Sequence, residues 1–200
     1  MAATDSDPRR RPAFAATLAL ALLLPAMARA DGEFWAFDIS ESTRSGVLSA
    51  SRGEFTFGAS VTDYGDGVSA GLSLTRRLPF DFGVEGLSLS AGPALGFGGG
   101  DLSEVELGLT VSAQRFVVTD WGSYFLQASG GTIDRNFFLQ AQATFEGPDL
   151  TVALSRGGST EYDETSLSLS RQLNDGPVSL RAGYRFQAEE FFVGFSVNTF

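Results

Sequence analysis

Residues 178–200, VSLRAGYRFQAEEFFVGFSVNTF, decide the fold of this chain. Apolar residues occupy every second position in two runs, with Ala188, Glu189 and Glu190 between them. Side chains that recur with a period of two lie on one face of a β-strand, so each run predicts a strand with an apolar face. Two strands of ~10 residues joined by a short connection predict a β-hairpin.

The face opposite each apolar row is unusual for a soluble sheet. It carries Ser, Gly, Gln, Asn and an occasional Arg, and the whole chain contains no Lys. A soluble antiparallel sheet would cover its outer face with charged residues. A strand of ~9–11 residues with one wholly apolar face instead fits a tilted transmembrane strand whose other face lines a wet interior.

The final strand is followed directly by an aromatic residue. An amphipathic strand that ends in a terminal Phe resembles the C-terminal signal of Gram-negative outer-membrane β-barrel proteins. The residues that carry this resemblance, and that it implies to be an assembly signal, are Phe191, Val193, Phe195, Val197 and Phe200. Phe200 has an even residue number, whereas the residues of the apolar row have odd numbers, so the match requires a slip or bulge near residues 198–199.

The same resemblance implies the partners of the protein. They are outer-membrane lipid and lipopolysaccharide, the barrel-assembly machinery and periplasmic chaperones. Because the apolar row should face lipid, we expect Phe195→Arg to block membrane insertion and Ser196→Arg, on the other face, to be tolerated.

The first thirty residues have the composition of a cleaved secretory signal. Arg9, Arg10 and Arg11 precede an apolar stretch over residues 13–24, and Ala28-Arg29-Ala30 forms a small-residue cleavage site. The apolar stretch is too short to cross ~30 Å of hydrocarbon as a helix. Residues 1–30 are therefore predicted to be a signal peptide, and residues 31–200 a single outer-membrane barrel.

Composition excludes several classes of function. The net charge of −10 argues against nucleic acid as a partner. Because His and Cys are both absent, His-based catalytic triads, thiolate metal sites and disulfides are impossible. We therefore expect no enzymatic activity, no cofactor and no metal site.

The rest of the chain repeats the two-residue period. Weak alternation over residues 33–39 and 45–51 is followed by steadier strands, including one near residues 82–91, and Gly, Pro, Asn and Asp punctuate them. The pattern predicts an all-β fold, a single antiparallel transmembrane β-barrel of twelve strands, or ten if the first two do not span. Tight turns are expected at residues 146–149 and 174–177, and longer outer loops at 92–101 and 157–163.

Few charged residues fall on the predicted inner face. Glu104 and Glu106 lie two positions apart on one face, and Arg181 and Arg185 lie on the inward row of the penultimate strand. Charged groups in a narrow lumen are usually paired, so these carboxylates are expected to meet these arginines. Alternatively, the arginines set the electric field of a pore.

The inner face otherwise consists mostly of Ser, Gly and Thr, which leaves room for water. This favours a small porin-like channel for passive diffusion of small polar solutes. One alternative is a closed structural or assembly barrel plugged by Glu104, Glu106, Arg181, Arg185 and Gln140. Another is a secreted soluble β-barrel or sandwich.

Overall fold

Twelve antiparallel strands form one closed barrel, which confirms the predicted fold class and the higher of the two predicted strand numbers. The computed structural model describes residues 32–98, 102–160, 162–174 and 176–200. The predicted signal peptide lies outside these residues. The strands are β1 Gly32–Ser40, β2 Arg44–Arg52, β3 Phe55–Asp63, β4 Val68–Arg77, β5 Leu87–Gly98, β6 Glu104–Thr119, β7 Gly122–Gly131, β8 Phe137–Phe145, β9 Leu150–Gly158, β10 Asp163–Gln172, β11 Val178–Arg185 and β12 Glu190–Asn198.

The first and last strands close the barrel. β1 pairs with β12 through seven register positions, among them Phe37 opposite Phe195, whose ring centroids are 6.1 Å apart. Closure gives every strand two neighbours, which removes the unpaired sheet edges that lipid cannot solvate. The only helical element in the described residues is the short turn Ile133–Arg135, and none there is long and apolar enough to cross a bilayer.

The two faces of β12 differ in accessibility. On β12, Phe191 is 77% exposed and Val193 63% exposed, whereas Phe192 is 4% and Ser196 7% exposed. Residues that are paired across neighbouring strands lie on the same face of the sheet. Leu180 and Ala182 of β11 therefore share the outer face with Phe195 and Val193. The odd residues of β12 thus face outward, and the even residues face the lumen.

The connections between strands follow the predicted lengths only in part: residues 146–149 form the expected short turn, but the expected longer loops are not formed. We call the end of the barrel with Gly32 and Asn198 the terminal rim, and the end with Ser40 and Glu190 the opposite rim. The longest connection, residues 78–86, lies at the terminal rim, and the predicted long loops at 92–101 and 157–163 are wrong because β5 continues to Gly98 and β9 to Gly158.

The glycine content of residues 92–98 explains why the sequence suggested a loop in this part of β5. Gly92 lies in β5, where a Cβ atom would overlap the backbone of Leu74 in β4, so this close approach requires glycine. The predicted start of this strand was also too early. β5 begins at Leu87, because Phe82, Gly83 and Gly86 have positive φ and form the preceding turn.

Phe200 lies beyond the end of β12 and does not join the outer apolar row. The N–H of Thr199 donates to the carbonyl of Glu33 at 2.9 Å, and the Phe200 ring lies beside Gly32, where a Cβ atom would overlap it. The slip or bulge near residues 198–199 that would bring Phe200 into the outer row is therefore not formed, and Phe200 reaches the terminal rim by extending past the strand.

Candidate functional site: the lumen and its mouth

Small and polar side chains dominate the inner face. The register places most of the Ser, Thr and Gly residues of β3, β4, β9 and β10 on it, together with the Gln residues of β6, β7 and β8. The inward Ser, Thr and Gln residues include Thr56, Ser60, Thr62, Ser69, Ser73, Thr75, Gln114, Gln127, Gln140, Gln142, Ser155, Ser166, Ser168 and Ser170. Side chains of this kind form hydrogen bonds with water and polar solutes without filling the cross-section of the lumen.

One side of the lumen, formed by the inner faces of β10, β11 and β12, is filled with side chains, and we call it the packed wall. Most of the buried side chains in the described residues belong to the inner faces of β10 and β12, namely Glu164, Ser168, Glu190, Phe192 and Ser196. Phe192 fits there because the facing residue on β11 is Gly183, where a Cβ atom would overlap its ring. Water has little access to this wall.

Arg185 is the centre of a hydrogen-bond network on the packed side. Its Nη1 donates to Glu190 Oε1 and to Ser40 Oγ, both at 2.9 Å, and its guanidinium carbon lies 5.4 Å from the centroid of the Phe192 ring. Glu190 also accepts from the backbone N–H of Ser42 at 3.1 Å. Both charges of this ion pair are thus satisfied at the opposite rim.

Arg181 forms the second ion pair of the packed side. Its Nε lies 3.2 Å from Asp38 Oδ1, although β12 separates the two strands that carry them. The register places Gly194 directly opposite Arg181 on one side and Asp38 on the other. Because Gly194 has no side chain, the guanidinium crosses β12 to reach the carboxylate.

These contacts correct the predicted pairing. Arg181 and Arg185 do face the lumen, but their partners are Asp38 and Glu190. In the described part of the chain, no ion pair joins Glu104 or Glu106 to an arginine. The two carboxylates lie on β6, which is on the other side of the ring of strands from β11 and β12.

The wall around β6 is open. Glu104, Glu106 and Gln114 are exposed, and the inward Phe116 and Val118 are 54% and 69% exposed. No inward residue of β6 is buried, although Thr110 and Ser112 in its middle are half-buried, so this side of the lumen is less filled than the packed wall.

Gln140 of β8 lies on the inner face near this open wall. Its Nε2 donates to Gln142 Oε1 at 3.1 Å, and the register places Gln127 of β7 opposite it. Gln140 therefore belongs to a glutamine cluster and does not contact the arginines with which it was grouped as a plug.

Two loops meet over the mouth at the opposite rim. Tyr64 follows β3 and Tyr162 precedes β10, and their ring centroids are 6.0 Å apart although these loops lie across the barrel from each other. Burial, and then the negative charge of nearby Glu164, raise the pKa of Tyr162 to about 12. Ile133, in the turn after β7, lies against Gly96 and Gly108 on the inner face and narrows the mouth further.

Sequence reasoning missed Asp38, Glu190 and the Tyr64–Tyr162 contact. A signal was present for the acids, since each occupies an inward position in a strand that otherwise carries small or apolar inward residues. No group of three or more acidic residues among those described is arranged to hold a metal ion.

Comparison with known proteins identifies the fold. No protein-family model matches the chain, and no curated protein matches it. A solved structure named KdgM porin superposes with a TM-score of 0.55 at 15% identity, over 84% of this chain and 99% of that one. A triple mutant of the Rhodopseudomonas blastica porin has a TM-score of 0.41 at 15% identity, over 80% of this chain and 56% of that one. At such identity the similarity to KdgM porin concerns the fold of the barrel.

Proposed function

We propose that this chain, whose barrel has the fold of KdgM porin, is an outer-membrane channel for passive diffusion of small polar solutes. The observation that carries the proposal is the uneven lumen. One wall is packed around Arg181 and Arg185, whereas the inward residues of β6 are either exposed or half-buried. A twelve-stranded barrel with one unfilled wall contains room for a narrow aqueous path.

The outer face supports a location in a membrane. Leu72, Leu74, Leu107, Leu169 and Val193 are each exposed, and they belong to outward rows on four different strands. Soluble monomers rarely expose a contiguous apolar patch larger than a few hundred Å². This argues against the alternative of a secreted soluble barrel.

Aromatic residues support the same location. Trp121 and Phe145 contact each other at a centroid distance of 5.4 Å near the terminal rim. Tyr184 and Phe191 do so at 4.9 Å near the opposite rim. Aromatic rings are enriched at both interfaces of transmembrane barrels, where they sit at the level of the lipid headgroups.

The alternative of a plugged barrel required five residues to act together. Arg181 and Arg185 are on the packed wall, and Glu104, Glu106 and Gln140 are on or near the open one. They make no common contact in the described residues, so this plug has no structural support.

Planar-bilayer recording of the refolded protein tests the channel. We expect discrete conductance steps in the wild type and a lower conductance in Gln127→Trp, which places a large ring in the lumen. Leu126→Trp is the matched control, because the neighbouring residue faces outward and its substitution should leave conductance unchanged. Absence of conductance at every voltage would overturn the proposal.

We also propose that β12 directs assembly of the barrel, with the barrel-assembly machinery and periplasmic chaperones as partners. Its support is the position of β12 as the strand that closes on β1, with Phe191, Val193, Phe195 and Val197 outward. Before closure, the edge of this strand is unpaired and available for recognition.

A further inference from the structure

We infer that the channel passes cations more readily than anions, and that Glu104 and Glu106 set this preference. The inference rests on the proposed channel function and specifies the solutes that the channel favours. It follows from which charges of the lumen are neutralised and which are exposed.

The two arginines on the inner face of β11 are already neutralised. Arg185 is paired with Glu190 at 2.9 Å and Arg181 with Asp38 at 3.2 Å. Their side chains are at most 19% exposed. A guanidinium that is paired and largely buried attracts anions weakly, because its field is cancelled by its partner at short range.

Two further charged residues lie on the inner face, and neither neutralises Glu104 and Glu106. Glu164 is buried on the packed wall, where its carboxylate accepts from the backbone N–H groups of Gln187 at 3.0 Å and Ala188 at 2.9 Å. Arg77 lies on the inward row at the last position of β4, at the terminal rim and so at the other end of the lumen. The inner faces of the strands therefore retain an excess of negative charge near the opposite rim.

Glu104 and Glu106 lie at the mouth of the lumen, on the part of β6 that extends beyond the end of β7. They are exposed on the inner face of β6, and the residues opposite them on β5 are Gly98 and Gly96, which offer no countercharge. The Tyr64–Tyr162 contact crosses the same mouth. Charges that line a narrow passage select ions of opposite sign, since low-dielectric walls focus their field.

The reversal potential across a bilayer with a KCl gradient measures this preference. For the wild type we expect a potential of the sign that indicates a potassium-to-chloride permeability ratio above one. The double variant Glu104→Gln/Glu106→Gln should lower the ratio by about twofold or more at low salt. Glu104→Lys/Glu106→Lys should shift the preference to chloride.

The matched control is Glu54→Gln. This residue pairs with Arg76 at 2.8 Å on the outer side of the barrel and should not alter the ratio. The inference is overturned if the wild type prefers chloride, or if the double Gln variant conducts with an unchanged ratio. A wild type without conductance would instead refute the channel function, so the two failures are distinguishable.

Discussion

Arg181 of β11 and Asp38 of β1 form an ion pair across the intervening strand β12, with 3.2 Å between Arg181 Nε and Asp38 Oδ1. The intervening residue on β12 is Gly194, which is opposite Arg181 in one register and opposite Asp38 in the other. A Cβ atom at Gly194 would overlap the Asp38 carboxylate and the Phe37 carbonyl oxygen. The pair therefore joins β11 to β1 across β12, at the seam where the barrel closes. The absence of a side chain at Gly194 makes this contact possible.

We expect Gly194→Val to separate this pair and to destabilise the closed barrel by ~1–3 kcal/mol, because the new side chain has no free space. Unfolding in urea, followed by tryptophan fluorescence in lipid vesicles, measures the change. Gly98→Val is the control, since nothing lies within 4 Å of a Cβ atom at this inward strand position. Equal stability of the two variants would contradict the role assigned to Gly194.

Asp38→Asn should leave Arg181 without a countercharge on the packed wall. We expect a loss of ~3–5 kcal/mol in the free energy of unfolding, because the unpaired guanidinium would remain largely buried on the packed wall. Asp63→Asn breaks the exposed Arg44–Asp63 pair of 3.7 Å and should cost less than ~1 kcal/mol. A similar cost for both variants would mean that the lumen solvates Arg181 fully.

Phe195→Arg should block insertion, because an arginine on the lipid face near the bilayer centre costs ~2–4 kcal/mol. The control expected from sequence, Ser196→Arg, is unsuitable. Ser196 is 7% exposed on the packed wall, so an arginine there would be overpacked. Gln114→Arg on the exposed part of the lumen replaces it and should insert normally, as judged by heat-modifiable migration in membrane fractions.

Deletion of Phe200 tests the assembly signal separately from the lipid face. Its ring lies beside Gly32 at the terminal rim, outside the strand ladder, so the folded barrel should lose little stability without it. If the residue is read during assembly, the amount of inserted protein falls while the unfolding free energy of the inserted fraction is unchanged. Normal insertion would show that the resemblance of the C-terminus to the barrel signal is accidental.

Tyr162 should remain neutral well above the usual titration range of a phenol. Because burial and Glu164 raise its pKa from 10.0 to about 12, the folded chain holds the proton after the unfolded chain has lost it. Its contribution to stability is complete below about pH 10 and is lost as pH rises towards 12. A difference titration of tyrosinate absorbance between the wild type and Tyr162→Phe measures this, and a midpoint at or below pH 10 would refute it.

The barrel was predictable because its signal is local. Alternation with a period of two places Phe191, Val193 and Phe195 on one face of a strand whatever the strand pairs with. The turn-forming residues between the runs then set the number of strands. Prediction was weaker where glycine occurs inside a strand, as at Gly92, because its composition resembles that of a loop although a neighbouring backbone requires it.

The contents of the lumen depended on the tertiary structure. The alternation of residues along each strand shows that Arg181, Arg185, Glu104 and Glu106 face inward. It does not show which strands oppose each other across the lumen or which strand pairs with β12. Closure of β1 on β12 brought Asp38 to Arg181 and left the two glutamates across the lumen. Such contacts join residues far apart in sequence and arise only from register and closure, so the sequence by itself determined the faces, and the three-dimensional pairing decided which charges are neutralised.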